Sequence, residues 1–156
     1  MKVIQSLWFD KGMEEAIRLY TSLIPGSSIA WTTIVPADTP SGPPGSVILT
    51  GFTLGDQRYT AMQAGPLDSF NHAFSITVEC DSQEEIDRLW DVLKEGGLVE
   101  ACGWLKDRWG LSWQIVPKRL GELVNDPDRE KAKRVTEAML KMVKLDIAAL
   151  EAAARG

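Results

Sequence analysis

Few side chains in this sequence are suited to acid–base or nucleophilic chemistry. His72 is the only histidine, and a lone histidine at the entry to a strand is more typical of a surface or capping role. A general base needs a positioned partner. The sequence has no Ser-His-Asp order that would supply one to His72, and therefore no candidate triad. It also lacks the glycine-rich turn and later acidic residue of a usual methyl-donor site. These residue types favour binding over catalysis.

Neutral polar residues near the end of the second half are stronger candidates for a site. Ser112, Gln114 and Val116 share one face of a predicted strand, and Trp113 and Ile115 share the other. A glutamine amide offers two donors and one acceptor. We predict that the polar face lines a pocket and that the other packs under a helix. The alternative is that such amides only satisfy one another or backbone groups.

Aromatic residues are abundant, with six tryptophans in 156 residues. Trp90 and Trp113 are predicted core residues, whereas Trp8 and Trp104 could line the pocket or a dimer interface. Ser75 lies on the polar side of the fifth predicted strand. An aromatic-walled cavity with a few amides suits a planar or amphipathic small molecule.

Composition limits the partners. The length fits one domain with a tail, and 17 basic against 22 acidic residues give a net charge of −5. This charge disfavours nucleic acid or an anionic membrane surface as the main partner. No apolar run approaches the roughly 18 residues of a membrane helix, and MKVIQSLWFD has no signal-peptide anatomy. Two cysteines, Cys80 and Cys102, are too few for a disulfide framework, so reduced thiols and a cytoplasmic location are expected.

The clearest pattern of elements lies in residues 72–117. Alternation of apolar and polar residues before Asp81 predicts a strand. Ser82 and Glu85 predict a helix that starts with a capping box, and Gly96 ends it. Strand structure follows near 99–106 and 111–116, with a boundary between two strands around Glu100–Trp104 and a solvated turn at Asp107–Gly110. The predicted order is β-α-β-β-β.

Residues 1–65 repeat this order, so an internal duplication of one supersecondary unit is expected. Strands are predicted near 3–9, 28–35, 47–54 and 58–64, with a helix from Met13. The segment Pro36–Gly45, with four prolines, is either a mobile surface loop or a pocket lid. After Pro117 the pattern is helical, and an apolar stripe running through Lys144 predicts docking on the domain or on a partner subunit.

Three segments carry a family likeness. FNHAFSITVECDSQEEIDRLWDVLKEGG, CGWLKDRWGLSWQIVP and the tail NDPDREKAKRVTEAMLKMVKLDIAALEAA resemble the PhnB-like group, often labelled demethylubiquinone 3-methyltransferase. That group lies in the vicinal oxygen chelate superfamily, with glyoxalase I, bleomycin-resistance proteins and extradiol dioxygenases. The resemblance implies an α+β fold in which two β-α-β-β-β units form a curved, mostly antiparallel sheet around a cavity, plus C-terminal helices. The expected boundaries are 1–118 for this domain, with units 1–65 and 72–117, and 119–156 for the helical tail.

The resemblance also locates the positions that hold metal in metal-dependent members, one on the first and last strand of each unit. These positions correspond to Gln5, Gln63, Ala73 (beside His72) and Gln114. Neutral amides are poor ligands for a divalent ion. The sequence thus departs from the metal pattern at every position, which favours cavity amides that bind a polar ligand, with no metal and no cofactor.

We predict a metal-independent small-molecule-binding protein of the glyoxalase and bleomycin-resistance fold. Its candidate ligand-binding residues are Gln5, Gln63, Ser75, Ser112, Gln114 and Trp104. The alternative is an enzyme of the same superfamily: a metal-dependent isomerase, lyase or dioxygenase, or the methyltransferase of the group label. A third hypothesis is a helper domain whose tail docks on a partner protein. The expected partners are a small molecule and a second copy of the chain, without nucleic acid or membrane.

Overall fold

The computed structural model describes residues 1–156, and its eight strands form two four-stranded sheets. The strands are β1 Gln5–Phe9, β2 Ser28–Ile34, β3 Ile48–Leu54, β4 Gln57–Gln63, β5 Ser75–Cys80, β6 Leu98–Val99, β7 Trp104–Lys106 and β8 Ser112–Pro117. The helices are α1 Met13–Leu23, α2 Gln83–Leu93, α3 Leu120–Val124, α4 Arg129–Met139 and α5 Ile147–Arg155. None of them has the length and apolar character needed to cross a membrane.

Both sheets have the same strand order, which confirms the predicted pair of β-α-β-β-β units in an α+β fold. The orders are β1-β4-β3-β2 and β5-β8-β7-β6. In each sheet the first strand runs parallel to the last, and the remaining neighbours are antiparallel. The chain divides into two compact units, residues 1–68 and residues 69–156.

In the first unit, α1 covers one face of its sheet. The helix follows Gly12, whose φ of 74° lies in the left-handed region that glycine tolerates. The helix contacts β2, β3 and β4, and its apolar stripe is buried, as are Leu7 and Phe9 of β1 and Ala61 of β4. The buried helix residues are Met13, Ala16, Ile17, Tyr20 and Leu23.

In the second unit, α2 begins and packs as the sequence predicts. The Ser82 side chain accepts a hydrogen bond from the amide of Glu85 at 3.2 Å. The Glu85 carboxylate accepts one from the amide of Asp81 at 2.8 Å. Trp113 and Ile115 are fully buried on the helix side of β8, which confirms the predicted packing. The helix residues that complete this core are Ile86, Leu89, Trp90 and Leu93.

The region near 99–106 contains two strands, β6 and β7, with a turn between them. Cys102 and Gly103 have φ angles of 59° and 80°, both left-handed. The amide of Glu100 donates to the carbonyl of Trp104 at 2.9 Å, which closes the turn. The second unit therefore has a short edge strand, Leu98–Val99, before the turn.

The C-terminal helices pack within the second unit, so the tail docks on its own domain. Leu123, Val135, Leu145 and Leu150 form a buried cluster that Val116 of β8 joins. Gln83 of α2 ties the tail down with both ends of its amide. Its Nε2 donates to the carbonyl of Leu145, and its Oε1 accepts from the amide of Ile147. The helix predicted to run through Lys144 ends earlier, at Met139.

The proline-rich segment Pro36–Gly45 contains hydrogen bonds of its own. Thr39 and Gly42 exchange backbone hydrogen bonds of 2.9 and 3.0 Å. The amide of Gly45 donates to the carbonyl of Val35 at 3.0 Å. The segment is therefore a folded turn between β2 and β3. Its role as a pocket lid stays a prediction.

Candidate ligand-binding site

Four of the six predicted site residues lie together on the second sheet, on the face opposite α2. Ser75 and Ser112 are cross-strand partners, and so are Trp104 and Gln114. Successive side chains of a strand point to opposite faces. Because Trp113 faces the helix, its neighbours Ser112 and Gln114 face the other way.

Gln114 and Ser75 are joined by a hydrogen bond across the sheet. Nε2 of Gln114 donates to Oγ of Ser75 at 2.9 Å. The amide oxygen of Gln114 remains an acceptor, and the Ser75 hydroxyl keeps its own hydrogen to donate. Ser112, directly opposite Ser75 on the strand that carries Gln114, has no exposed surface, and its Oγ has no hydrogen-bond partner. A buried hydroxyl without a partner is costly, so native proteins rarely keep one without a reason.

His72 has a carboxylate partner that the sequence analysis missed. Its Nε2 lies 2.9 and 2.8 Å from the two carboxylate oxygens of Glu100. The imidazole ring is 6.1 Å from the ring of Trp104, between centroids. Glu100 lies 28 residues away, and no local motif links the two. Only the turn after β6 brings them together.

A buried carboxylate, Asp107, fixes the hairpin that carries Trp104. The residue is 3% exposed. Its Oδ1 accepts from the amides of Trp109 and Leu111 at 3.0 and 3.1 Å. Its Oδ2 accepts from Nε1 of Trp113 at 2.9 Å. The prediction of a solvated turn was therefore wrong for Asp107, because a carboxylate with three donors can be buried.

Gln5 and Gln63 lie in the first unit, on the face that α1 covers. Gln5 shares its strand face with Leu7 and is partly buried. Oε1 of Gln63 accepts from the amide of Met13 at 3.0 Å, so this amide satisfies the start of α1. Gln63 also lines a cleft of about 540 Å³ beside the helix, with Thr50 in the lining. Ligand binding by these two glutamines stays a prediction.

The Cys80 thiol is not a nucleophile at neutral pH. Both cysteines of the chain are free thiols. Burial, with a smaller contribution from the Glu85 carboxylate, raises the pKa of the Cys80 thiol to about 11. Cys80 is therefore protonated at neutral pH, and the thiolate is the reactive form.

The residues present do not fit a divalent metal. No group of three or more His, Cys, Asp or Glu side chains is placed to hold an ion. The predicted site offers an amide and two hydroxyls, whereas such metals take imidazole, carboxylate or thiolate ligands.

Two β-α-β-β-β units with this strand order define a protein of the vicinal oxygen chelate superfamily. Residues 1–116 match the family described as 3-demethylubiquinone-9 3-methyltransferase, and the chain belongs to that family. The match ends within β8, so the C-terminal helices lie outside it. No curated protein matches the chain.

Solved structures resemble this one over about three quarters of the chain. A PhnB protein from Bacillus cereus is 30% identical, with a TM-score of 0.67, covering 75% of this chain and 99% of that one. A protein from Pseudomonas aeruginosa is 24% identical, with a TM-score of 0.60, covering 76% of this chain and 98% of its own. FosX, a fosfomycin resistance protein from Listeria monocytogenes, is 11% identical, with a TM-score of 0.54, covering 78% and 94%. The latter two likenesses show the fold alone.

Proposed function

We propose that this chain is a metal-independent small-molecule-binding protein. Its ligand would lie on the second-sheet face that carries Ser75, Trp104, Ser112 and Gln114. The observation that carries the proposal is the Gln114–Ser75 hydrogen bond of 2.9 Å directly across the sheet from Trp104. An aromatic surface beside a few convergent polar groups is the usual composition of a small-molecule site.

Metal independence is supported by the donor types on this face. An amide and two hydroxyls hydrogen-bond a polar ligand without requiring charge compensation. The chain also lacks any cluster of three metal-binding side chains.

The test is to identify what the purified protein carries. Native mass spectrometry should find a bound small molecule, and elemental analysis should find no stoichiometric divalent ion. Gln114→Ala should lower the affinity for that molecule by about 5- to 30-fold, as expected for one neutral hydrogen bond. Gln57→Ala, which removes an exposed glutamine of β4, is the matched control and should bind as wild type. About one tightly held metal per chain, or equal binding by both variants, would contradict the proposal.

We further propose that the chain forms a homodimer and acts in the cytoplasm. Exposed apolar residues support association. Trp31 and Ile34 of β2 are 47% and 58% exposed, and Leu140 after α4 is 61% exposed. Apolar side chains grouped at the surface of a soluble domain are typical of interaction sites. Reduced cysteines agree with a reducing compartment.

An enzyme is the second candidate, and the His72–Glu100 pair favours it. A histidine oriented by a carboxylate is the minimum arrangement of a general base, and this one lies beside Trp104. FosX of Listeria monocytogenes is known in complex with Mn(II), and the family description of this chain names methyl transfer. Conversion of a co-purified molecule by wild type, lost in His72→Gln, would favour the enzyme over the binding protein.

A further inference from the structure

One row of side chains across the second sheet has hydrogen-bond donors that no acceptor in the chain satisfies. Ser112 of β8 has Ser75 of β5 and Lys106 of β7 as its two cross-strand partners. Leu105 is fully buried opposite Trp113, so the alternation of β7 places Lys106 on the same face as Ser112. The row Lys106–Ser112–Ser75 therefore crosses the face that carries the candidate ligand-binding site.

The row contains three unused donors. Ser112 Oγ is buried without a partner. Lys106 is partly buried and forms no salt bridge or side-chain hydrogen bond. Ser75 Oγ accepts from Gln114 and keeps its own hydrogen. Side chains of direct cross-strand partners stand about 5 Å apart at Cβ, so one small group can span all three. Because the Ser112 hydroxyl has no exposed surface, the group reaches it only after the side chains that cover it move aside.

No carboxylate of the chain compensates Lys106. Glu100 is held by His72. Glu79 lies on the same face and pairs with Val116. It is four residues from Ser75 along β5, which is about 13 Å at the usual strand rise. An unpaired, partly buried ammonium beside an unpartnered hydroxyl is suited to an oxyanion, because charge-assisted hydrogen bonds are stronger than neutral ones.

Trp104 indicates what the second part of the ligand should be. It precedes Lys106 by two residues on the same strand face, a spacing of about 7 Å. A ring that stacks on this indole would therefore be separated from the anion by a short linker. Neither Lys106 nor Trp104 is fully buried, so both remain accessible at the rim of the row.

We propose that this site binds an organic acid, with its carboxylate on the Lys106–Ser112–Ser75 row and a planar apolar group on Trp104. The inference rests on the proposed binding function and adds the chemical class of the ligand. It also assigns a role to Lys106.

The test uses three probes that share a phenylalkyl group and differ in the end group, which is an anion, a neutral amide or a cation: phenylpropanoate, phenylpropanamide and phenylpropylamine. Binding to the full chain would be measured by calorimetry and by amide NMR shifts at neutral pH. Phenylpropanoate should bind at least about tenfold more tightly than the amide, as a charge-assisted contact predicts. The amine should bind most weakly. Raising the salt concentration should lower the affinity for phenylpropanoate and leave the affinity for phenylpropanamide unchanged.

Variants locate the effect. In Lys106→Met, phenylpropanoate should bind only as tightly as phenylpropanamide. Lys94→Met, at the end of α2, is the control and should have the wild-type affinity for both probes. Ser112→Ala should weaken phenylpropanoate and raise the melting temperature, because it removes a buried hydroxyl that has no partner. A purely structural serine would not give this opposite pair of effects.

The inference is overturned if the amide binds as tightly as the acid, if Lys106→Met keeps the preference, or if no probe binds. If the amide binds as tightly as the acid but Gln114→Ala binds neither probe, the proposed binding function still holds. If no probe binds, the proposed binding function is tested separately by the molecule that co-purifies with the protein.

Discussion

At the scale of single residues, Trp113 and Gln114 are consecutive in β8 and have opposite surroundings. Trp113 has no exposed surface, and its indole nitrogen donates to Asp107. Gln114 is partly buried and donates to Ser75. The alternation of strand side chains separates a core position from a site position by one residue.

Trp113→Ala should therefore lower the free energy of unfolding by about 3–5 kcal/mol, because it leaves a large cavity. Gln114→Ala should lower it by less than about 1.5 kcal/mol, because only one neutral hydrogen bond is lost. Urea unfolding of both variants checks this contrast. The opposite ranking would mean that the register of β8 is shifted by one residue.

Sequence reasoning found these two residues because alternation is a local property. It missed the burial of Asp107, which stands between Lys106 and Arg108 in a segment that looks solvated. The hydrogen bonds from Trp109, Leu111 and Trp113 make its burial possible. These bonds depend on the geometry of the hairpin, which composition does not reveal.

At the scale of elements, the turn Glu100–Gly103 shows where local signals end. Helix α2 was predictable because Ser82 and the apolar stripe lie within it. The sequence indicated the break between β6 and β7 around Glu100–Trp104 but not the contacts that hold it, because these lie about 40 residues further along the chain. The amides of Cys102 and Gly103 donate to the carbonyls of Met142 and Val143 at 2.9 and 2.7 Å.

Gly103 should tolerate no side chain. A Cβ at this position would lie 2.7 Å from the carbonyl oxygen of Ile115, and φ is +80°. Gly103→Ala should therefore destabilise the protein by more than about 1 kcal/mol. Gly121→Ala is the control: it lies in α3 with nothing within 4 Å, and alanine should stabilise the helix by about 0.5–1 kcal/mol. Equal melting temperatures for the two variants would refute this account of the turn.

The Asp87–Lys144 pair gives the attachment of the tail a pH dependence. Hydrogen bonds from Lys144 and then Gln83 hold the pKa of the Asp87 carboxyl below its usual 3.8. The hydrogen bond to Asp87 raises the pKa of Lys144 above 10.5. The stabilisation from Asp87 is thus present above pH 3.8 and lost as the pH falls through the lowered value. The stabilisation from Lys144 is present below pH 10.5 and lost as the pH rises through the raised value.

In acid, the tail should accordingly detach from α2 more often. Its backbone amides should then exchange hydrogen faster than the effect of pH on the intrinsic exchange rate explains. Asp87→Asn and Lys144→Met should each remove that extra acid dependence. If the two variants keep the wild-type profile, the pair does not secure the tail. Both side chains are partly exposed to solvent, so the change should be small and should shrink in salt.

At the scale of the whole molecule, the chain consists of two units of the same topology, the second enlarged by the C-terminal helices. The exposed apolar residues on β2 lead us to expect a dimer. Light scattering at micromolar concentration should give twice the chain mass of 17.2 kDa. Ile34→Lys should shift the mass towards one chain, because it places a charge in an apolar interface. Arg58→Lys, at an exposed site of β4, should keep the wild-type mass, and a wild-type mass of one chain would contradict the prediction.

The parallel pairing of the first and last strand in each unit governs the order of events during synthesis. The hydroxyl contact between Ser6 and Thr60 joins residues 54 apart in sequence, and the Gln114–Ser75 bond joins residues 39 apart. Neither sheet is complete until its final strand has been made, and pairings this distant in sequence slow folding. The first unit has all its strands once Gln63 has left the ribosome, so it can fold on the nascent chain while the second is still being translated. The second must wait for Pro117 to complete its sheet and for Leu145 to complete the cluster of its C-terminal helices, so the apolar face of α2 stays uncovered until Trp113 and Ile115 of β8 have been made.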